Sequence, residues 1–147
     1  MNTVLVTGAN GQIGTVLVQK LQEKHGRGNV IASDLHASQN GHGPFESLDV
    51  LDRERLLELV ERYQIDTIYH LAAILSASGE KKISLAWQIN MDGLLNVLEV
   101  ARTKDIKVFA PSSIAVFGDH ISPDLAPQHA ALYPGTVYGI SKVAGEL

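Results

Sequence analysis

Short apolar runs alternate along this chain with longer segments in which apolar residues recur at helical spacing. The runs are rich in β-branched residues and predict buried strands at positions 2–7, 29–34, 45–48, 66–73 and 107–113. The periodic segments predict helices at positions 12–24, 53–63 and 83–103, and a last helix that starts near position 136. Strands that alternate with helices in this way are typical of a parallel sheet with helices on both faces.

We therefore predict an α/β fold built on a doubly wound parallel sheet of the Rossmann type, with strand order 3-2-1-4-5. The chain has 147 residues and is expected to form one domain, spanning residues 1–147. Three residues add local detail. Asp52 is expected to cap the second helix, Gly93 to allow close packing inside the third, and Pro111 to lie at the end of the last strand and not in its middle.

The first strand ends in a glycine pattern, with Gly8, Gly11 and Gly14 lying between the strand and the first helix. Such a turn needs a residue that can adopt a positive φ, and a pyrophosphate needs to approach the backbone where no Cβ intervenes. The helix N-terminus adds unpaired N–H groups and a favourable dipole. The pattern predicts a phosphate site, although a tight strand-to-helix turn without a ligand would also explain it.

An acidic residue, Asp34, ends the second predicted strand twenty residues after Gly14. A dinucleotide-binding fold places at this position the carboxylate that accepts hydrogen bonds from the adenosine ribose. Leu35 and His36 follow, with no arginine to bind a 2′-phosphate, so the pattern favours NAD over NADP. A solvated acid at a strand end is the alternative interpretation.

The last predicted helix carries Tyr138 and Lys142, which are four residues apart and therefore share one helix face. A free tyrosine loses its proton only near about pH 10. A neighbouring ammonium and a positively charged nicotinamide ring would both favour the phenolate, which can act as a base. An ordinary amphipathic helix would also account for an isolated pair of this kind.

Ser112 and Ser113 lie at the C-terminal end of the fifth predicted strand, on the sheet edge where open α/β sheets bind ligands. A serine hydroxyl there can hydrogen-bond a substrate oxygen, or it can cap a turn.

Composition excludes several classes of function. The net charge of −4 and the lack of a basic cluster argue against general nucleic-acid binding. There are no cysteines, and the six histidines show no paired ligand spacing, so we predict no metal site. No apolar run is long enough for a membrane span or a signal segment, so a cytoplasmic location without membrane partners is expected.

Taken together, these motifs resemble those of the extended short-chain dehydrogenase/reductases, within the NAD-dependent epimerase/dehydratase superfamily. The resemblance spans the whole chain and rests on Thr7-Gly8-x-x-Gly11-x-x-Gly14, Asp34, Asp49-Val50, the segment from His70 to Ala73, Ser113 and Tyr138-x-x-x-Lys142. More narrowly, segments 73–80, 90–98, 111–118 and 136–142 resemble the short-chain type of L-threonine 3-dehydrogenase.

The resemblance implies roles for individual residues. Tyr138 would be the base, Lys142 would bind the nicotinamide ribose and favour the phenolate, and Ser113 would hold the reacting oxygen. Ser76 would contact substrate, together with Ser113 and Tyr138. The cofactor NAD would be bound by Gly8, Asn10, Gly11, Gln12, Ile13, Gly14, Asp34, Leu35, His36, Asp49, Val50, Leu71, Ala72, Ala73, Asn90, Tyr138 and Lys142.

The activity implied by the resemblance is NAD-dependent oxidation of L-threonine to 2-amino-3-ketobutyrate, in a homodimer. An NAD-dependent sugar-nucleotide epimerase or dehydratase is the alternative enzyme. A third possibility is an NAD-binding fragment without turnover. The last helix stops without a capping signal, so we expect the chain to be truncated within the helix that carries Tyr138 and Lys142, with the C-terminal substrate lobe absent.

Overall fold

The structure is a computed structural model, which describes residues 3–37, 43–75, 79–122 and 124–147. Its strands are β1 Val4–Thr7, β2 Val30–Asp34, β3 Phe45–Ser47, β4 Thr67–His70 and β5 Lys107–Phe109. Its α-helices are α1 Gln12–His25, α2 Arg53–Tyr63, α3 Ile83–Trp87, α4 Gly93–Lys104 and α5 Val137–Glu146. There are also 3₁₀ turns at Arg27–Asn29 and Ile114–Val116 and a π-helical turn at Gln88–Asp92.

The chain forms two compact units. The first, here called the sheet unit, comprises Met1–Ala72 and Gly93–Pro111. The second, here called the helical unit, comprises Ala73–Asp92 and Ser112–Leu147.

The sheet unit contains one parallel sheet in the order β3-β2-β1-β4-β5, as predicted from the sequence. Strand β1 lies at the centre, where Val4 pairs with Val30 of β2 on one side and with Thr67 of β4 on the other. The chain therefore reverses direction across the sheet between β3 and β4, and the loops after β1 and β4 leave the same edge. In sheets of this kind that edge binds ligands.

Successive side chains of β1 point to opposite faces of the sheet, and helices of this unit cover both faces. Leu5 is fully buried against α2 and α4, in a cluster that includes Leu56, Leu59 and Val97. Val4 and Val6 lie on the other face and pack with Leu21 of α1. The central strand β1 is buried on both sides, which explains why it reads as a continuous apolar run, whereas the edge strands β3 and β5 are only partly buried.

The three local expectations are confirmed. The Oδ1 atom of Asp52 accepts a hydrogen bond of 2.9 Å from the backbone nitrogen of Arg55 and caps α2. A Cβ on Gly93 would lie 2.8 Å from a methyl carbon of Val50, so the helix can approach only because this residue is glycine. Strand β5 ends before Pro111.

The predicted helix 83–103 differs from the structure, because a π-helical turn separates α3 from α4. Within this turn the side chain of Asn90 is buried and bonds both backbone groups of Ile74, with distances of 2.8 Å and 3.0 Å. A π-helical turn contains one residue more than an α-helical turn, and here it carries the inward-facing asparagine. The spacing of apolar residues in the sequence does not reveal such a turn. The predicted strands 66–73 and 107–113 are also too long. Pairing of β4 with β1 ends where β1 turns at Gly8.

Candidate functional site

The glycine loop after β1 is folded tightly against the segment that follows β4. Gly8 has a φ of +69°, and a Cβ there would lie 2.7 Å from the backbone nitrogen of Ala72. A Cβ on Gly14 would overlap the carbonyl oxygen of Gly8. The amide of Gly11 donates a 3.1 Å hydrogen bond to that same carbonyl, so the loop closes on itself. Side chains are excluded from the inside of this turn.

The loop leads directly into the N-terminus of α1, whose N-cap is Gly11. No side chain caps this end, and the first turn has no acidic residue. Gln12 and Ile13 are exposed, so this end of the helix is open to solvent. Uncapped amides, a positive dipole end and a side-chain-free turn fit the pyrophosphate of a dinucleotide.

The structure brings Asp34 to this loop. Its Oδ2 atom accepts a 3.0 Å hydrogen bond from the amide of Asn10, and its Oδ1 atom accepts one of 2.8 Å from the amide of Leu35. The side-chain amide of Asn10 donates to the carbonyl of His36 at 2.6 Å, so the loop and the strand end are tied twice. Each carboxylate oxygen retains a second acceptor position, which suits a ribose hydroxyl.

The other proposed cofactor residues of the sheet unit have structural contacts of their own. Asp49 is exposed and accepts a 2.9 Å hydrogen bond from the amide of Leu51, while Val50 is buried. Leu71 donates from its amide to the carbonyl of Thr7 at 3.1 Å and, with Ala72, forms the wall that Gly8 approaches. Their roles at the adenine and along the cofactor stay predictions.

A buried polar pair joins the ends of the two central strands. The hydroxyl oxygen of Thr7 lies 2.9 Å from Nδ1 of His70, and both residues are buried. The pair holds together the two points from which the glycine loop and the segment after β4 depart. His70 thus has a structural partner, as expected for a core histidine.

The helical unit fixes the start of α5, one residue before Tyr138. The hydroxyl of Thr136 accepts a 3.0 Å hydrogen bond from the amide of Gly139, and the carboxylate of Glu80 accepts one of 2.9 Å from the amide of Val137. This capping role of Glu80 could not be predicted from the sequence, because Glu80 lies 57 positions from its partner and no local motif links the two.

Tyr138 and Lys142 share one face of α5. The Lys142 Nζ atom lies 5.7 Å from the centre of the Tyr138 ring, within the range of a cation–π contact. Burial lowers the pKa of the Lys142 ammonium below its ordinary value. The arrangement therefore places a partly desolvated lysine against the ring of Tyr138.

Ser113 lies at the start of the 3₁₀ turn, and its hydroxyl oxygen accepts a 3.3 Å hydrogen bond from the amide of Ala115. This turn packs directly on α5, because a Cβ on Gly139 would lie 2.5 Å from the carbonyl oxygen of Ala115. The neighbouring Ser112 donates to the carboxylate of Glu146. Ser113 is thus a turn cap whose hydroxyl proton remains available to a ligand.

Three further residues were proposed from the sequence as cofactor or substrate contacts. Ala73 begins the helical unit, and Asn90 uses its side chain within that unit, where its amide also donates to the Ser141 hydroxyl at 3.3 Å. Ser76, the proposed substrate contact, lies outside the described residues. Asn90 and Ser76 therefore stay predictions as ligand contacts.

The lowered pKa of Lys142 predicts how stability depends on pH. As pH rises, the folded protein releases this proton before the unfolded chain does, because unfolding restores the ordinary pKa of about 10.4. Between the two values the unfolded chain binds more protons, so the free energy of unfolding should rise with pH in that window. Urea unfolding at a series of alkaline pH values measures the rise.

The Lys142→Met variant should lack this rise, whereas Lys20→Met, which changes an exposed lysine, should retain it. An identical pH dependence in the wild type and in Lys142→Met would contradict the assignment.

In the described parts of the chain, no group of three or more His, Asp or Glu side chains is arranged to hold a metal ion. Likewise, none of the helices found in those parts is long and apolar enough to cross a membrane.

The sheet order and the glycine loop define a Rossmann-type nucleotide-binding protein. More specifically, residues 4–147 match the NAD dependent epimerase/dehydratase family, and the chain belongs to that family. An uncharacterized epimerase/dehydratase of Staphylococcus haemolyticus (strain JCSC1435) is 48% identical over 151 residues, covering 100% of this chain and 48% of that protein. The membership expected from the motifs is confirmed.

Solved structures extend the comparison. The L-threonine dehydrogenase of Clostridium difficile is 46% identical, with a TM-score of 0.95 over 99% of this chain and 47% of that one. The UDP-glucose 4-epimerase of Brucella ovis in complex with NAD is 28% identical, with a TM-score of 0.87 over 99% of this chain and 46% of that one. The chain thus spans about half the length of the proteins it matches. The family description and the Brucella complex support a nicotinamide cofactor.

Proposed function

We propose that the protein to which this chain belongs oxidises L-threonine to 2-amino-3-ketobutyrate with NAD. The observation that carries the proposal is the Tyr138–Lys142 pair on α5, in a chain 46% identical to the Clostridium difficile L-threonine dehydrogenase. The sugar-nucleotide epimerase of Brucella ovis is less similar, at 28% identity.

The proposed chemistry assigns one task to each side chain of the helical unit. The Tyr138 oxygen takes the proton of the threonine hydroxyl, and the Lys142 ammonium favours the deprotonated form of that oxygen. The Ser113 hydroxyl donates to the reacting oxygen as it becomes a carbonyl. A bound NAD would supply the acceptor for the hydride from the threonine β-carbon. The products are then the ketone, NADH and one proton.

In the sheet unit, the amides at the start of α1 would hold the pyrophosphate, and the Asp34 carboxylate would accept hydrogen bonds from the hydroxyls of the adenosine ribose. We propose NAD and not NADP, because the Asp34 carboxylate would repel a 2′-phosphate. Exposed Leu35 and His36 follow it and offer no guanidinium to bind such a phosphate.

The decisive experiment uses the purified full-length protein with L-threonine and either NAD or NADP. We expect NADH to accumulate with L-threonine and NAD, and much less reduced cofactor with NADP or with D-threonine. If no NADH forms, while UDP-glucose is epimerised without net reduction of cofactor, the epimerase alternative replaces this proposal.

A catalytically incomplete fragment is the second alternative, favoured by the coverage of about half of each relative. We propose that residues 1–147 form the cofactor-binding part and that turnover requires a protein of the length of its relatives. Expression of this chain alone and of a version extended to the length of its relatives separates the two functions. NAD binding by both, with turnover only by the longer protein, supports this division.

A homodimer in the cytoplasm completes the proposal. On α4, Leu94 and Val97 are buried as core residues, but Leu95 and Leu98 are 56% and 43% exposed. Two exposed leucines on one helix are compatible with a second copy of the protein packing there.

A further inference from the structure

An acidic side chain in the edge strand β3 is held by three donors from α2. Glu46 is only 14% exposed, and its carboxylate accepts hydrogen bonds from Arg55 at 2.7 Å, from the Tyr63 hydroxyl at 2.5 Å and from Arg62 at 3.4 Å. Arg55 also binds Glu58 at 2.6 Å, so the cluster extends along the helix. By accepting its proton in a hydrogen bond, Glu46 raises the pKa of Tyr63 and keeps the phenol a donor.

This cluster links the very short strand β3 to helix α2 through polar contacts. Strand β3 has three residues and pairs with β2 on one side only, since β3 is the edge of the sheet. Phe45, Glu46 and Ser47 are each partly accessible or exposed, so this strand buries little apolar surface of its own. The charge-assisted bonds to α2 therefore add to the backbone pairing with β2 in holding β3 in place.

The strand in turn supports the backbone of the proposed ribose-binding acid. Ser47 pairs with Asp34, and the amide of Leu48 donates a 3.0 Å hydrogen bond to the Asp34 carbonyl. The Ser47 hydroxyl donates to the carbonyl of Leu35 at 3.1 Å. A shift of β3 would therefore move the backbone on which the Asp34 carboxylate is mounted.

We propose that Glu46 is a positioning residue for the adenosine end of the cofactor site, acting through β3 on Asp34. The inference rests on the proposed NAD-binding function. It assigns Glu46 no contact with the cofactor. Its effect should be confined to the half of the cofactor that Asp34 binds and should leave the nicotinamide half unchanged.

The test compares Glu46→Gln and Tyr63→Phe with Glu99→Gln in the full-length protein. Glu99 is the matched control, because it pairs with Arg102 at 2.7 Å on the surface of α4 and has no link to β3. Calorimetry measures binding of ADP-ribose, which carries the adenosine end, and of nicotinamide mononucleotide, which lacks it. Amide hydrogen exchange of the ligand-free proteins follows Leu48 directly.

We expect the Kd for ADP-ribose to rise about three- to tenfold in both test variants and to stay unchanged in Glu99→Gln. The Kd for nicotinamide mononucleotide should stay constant in all three. Exchange at Leu48 should become faster in the two test variants without ligand, while exchange in α4 stays the same.

Equal loss of affinity for both probes, or unchanged exchange at Leu48, would overturn the positioning role of Glu46. If both test variants bind ADP-ribose as tightly as the wild type does, the positioning role of Glu46 is also overturned, while the proposed NAD binding stands. If the wild-type protein binds neither NAD nor ADP-ribose, the proposed function itself fails, and this inference fails with it. The wild-type measurement thus separates the two failures.

Discussion

Replacing Tyr138 with phenylalanine is expected to lower the kcat of threonine-dependent NADH formation by about 10²- to 10⁴-fold, the usual contribution of a general base. The substitution removes one oxygen and keeps the ring beside Lys142, so α5 should fold as before. Steady-state kinetics of the full-length protein measure kcat, and fluorescence titration measures NAD binding, which should persist.

Tyr133→Phe is the matched control, because Tyr133 is 76% exposed and its ring, not its hydroxyl, contacts His120. Its turnover should equal that of the wild type. A Tyr138→Phe protein that retains most of its kcat would remove Tyr138 from the mechanism.

Alanine in place of Gly8 is expected to destabilise the protein by about 3 kcal/mol and to abolish measurable NAD binding. Gly8 adopts a φ of +69°, and the added Cβ would lie 2.7 Å from the Ala72 nitrogen, a backbone atom that cannot rotate away. The loop must therefore open or the end of β1 must shift. Urea unfolding gives the stability, and calorimetry gives the affinity for NAD.

Gly28→Ala provides the comparison in the same unit, since a Cβ there meets no heavy atom within 4 Å. It should bind NAD normally and unfold at nearly the wild-type urea concentration. If Gly8→Ala behaves like Gly28→Ala, the loop is not as tightly enclosed as the distances indicate.

The centre of the sheet could be predicted because strand β1 is buried on both faces and therefore reads as a continuous apolar run. The central residue Leu5 and its neighbours Val4 and Val6 face opposite layers, and all three are apolar. The glycine loop could be predicted for a similar reason, because a positive φ and a close backbone approach restrict the residue type at Gly8 and Gly14. Both features can be predicted from residues that are close together in the sequence.

Other features depend on partners that are distant in the sequence. Glu46 looks like an exposed strand residue until α2 supplies Arg55 and Tyr63. The π-helical turn at Gln88–Asp92 is recognised only once Asn90 is seen to bond the backbone of Ile74, sixteen positions earlier. Neither hydrophobic period nor capping pattern encodes such contacts, because each one requires the assembled fold.

The hydrogen bond between the Asp34 carboxylate and the amide of Asn10 bears on any attempt to re-engineer the proposed cofactor preference. The usual strategy would replace Asp34 with a small or basic residue, so that a 2′-phosphate is tolerated. Here the same carboxylate accepts the amide of Asn10, so its removal leaves that loop amide without its acceptor. A redesign toward NADP would therefore have to supply another acceptor for the amide of Asn10, since the carboxylate proposed to bind the ribose also holds the glycine loop.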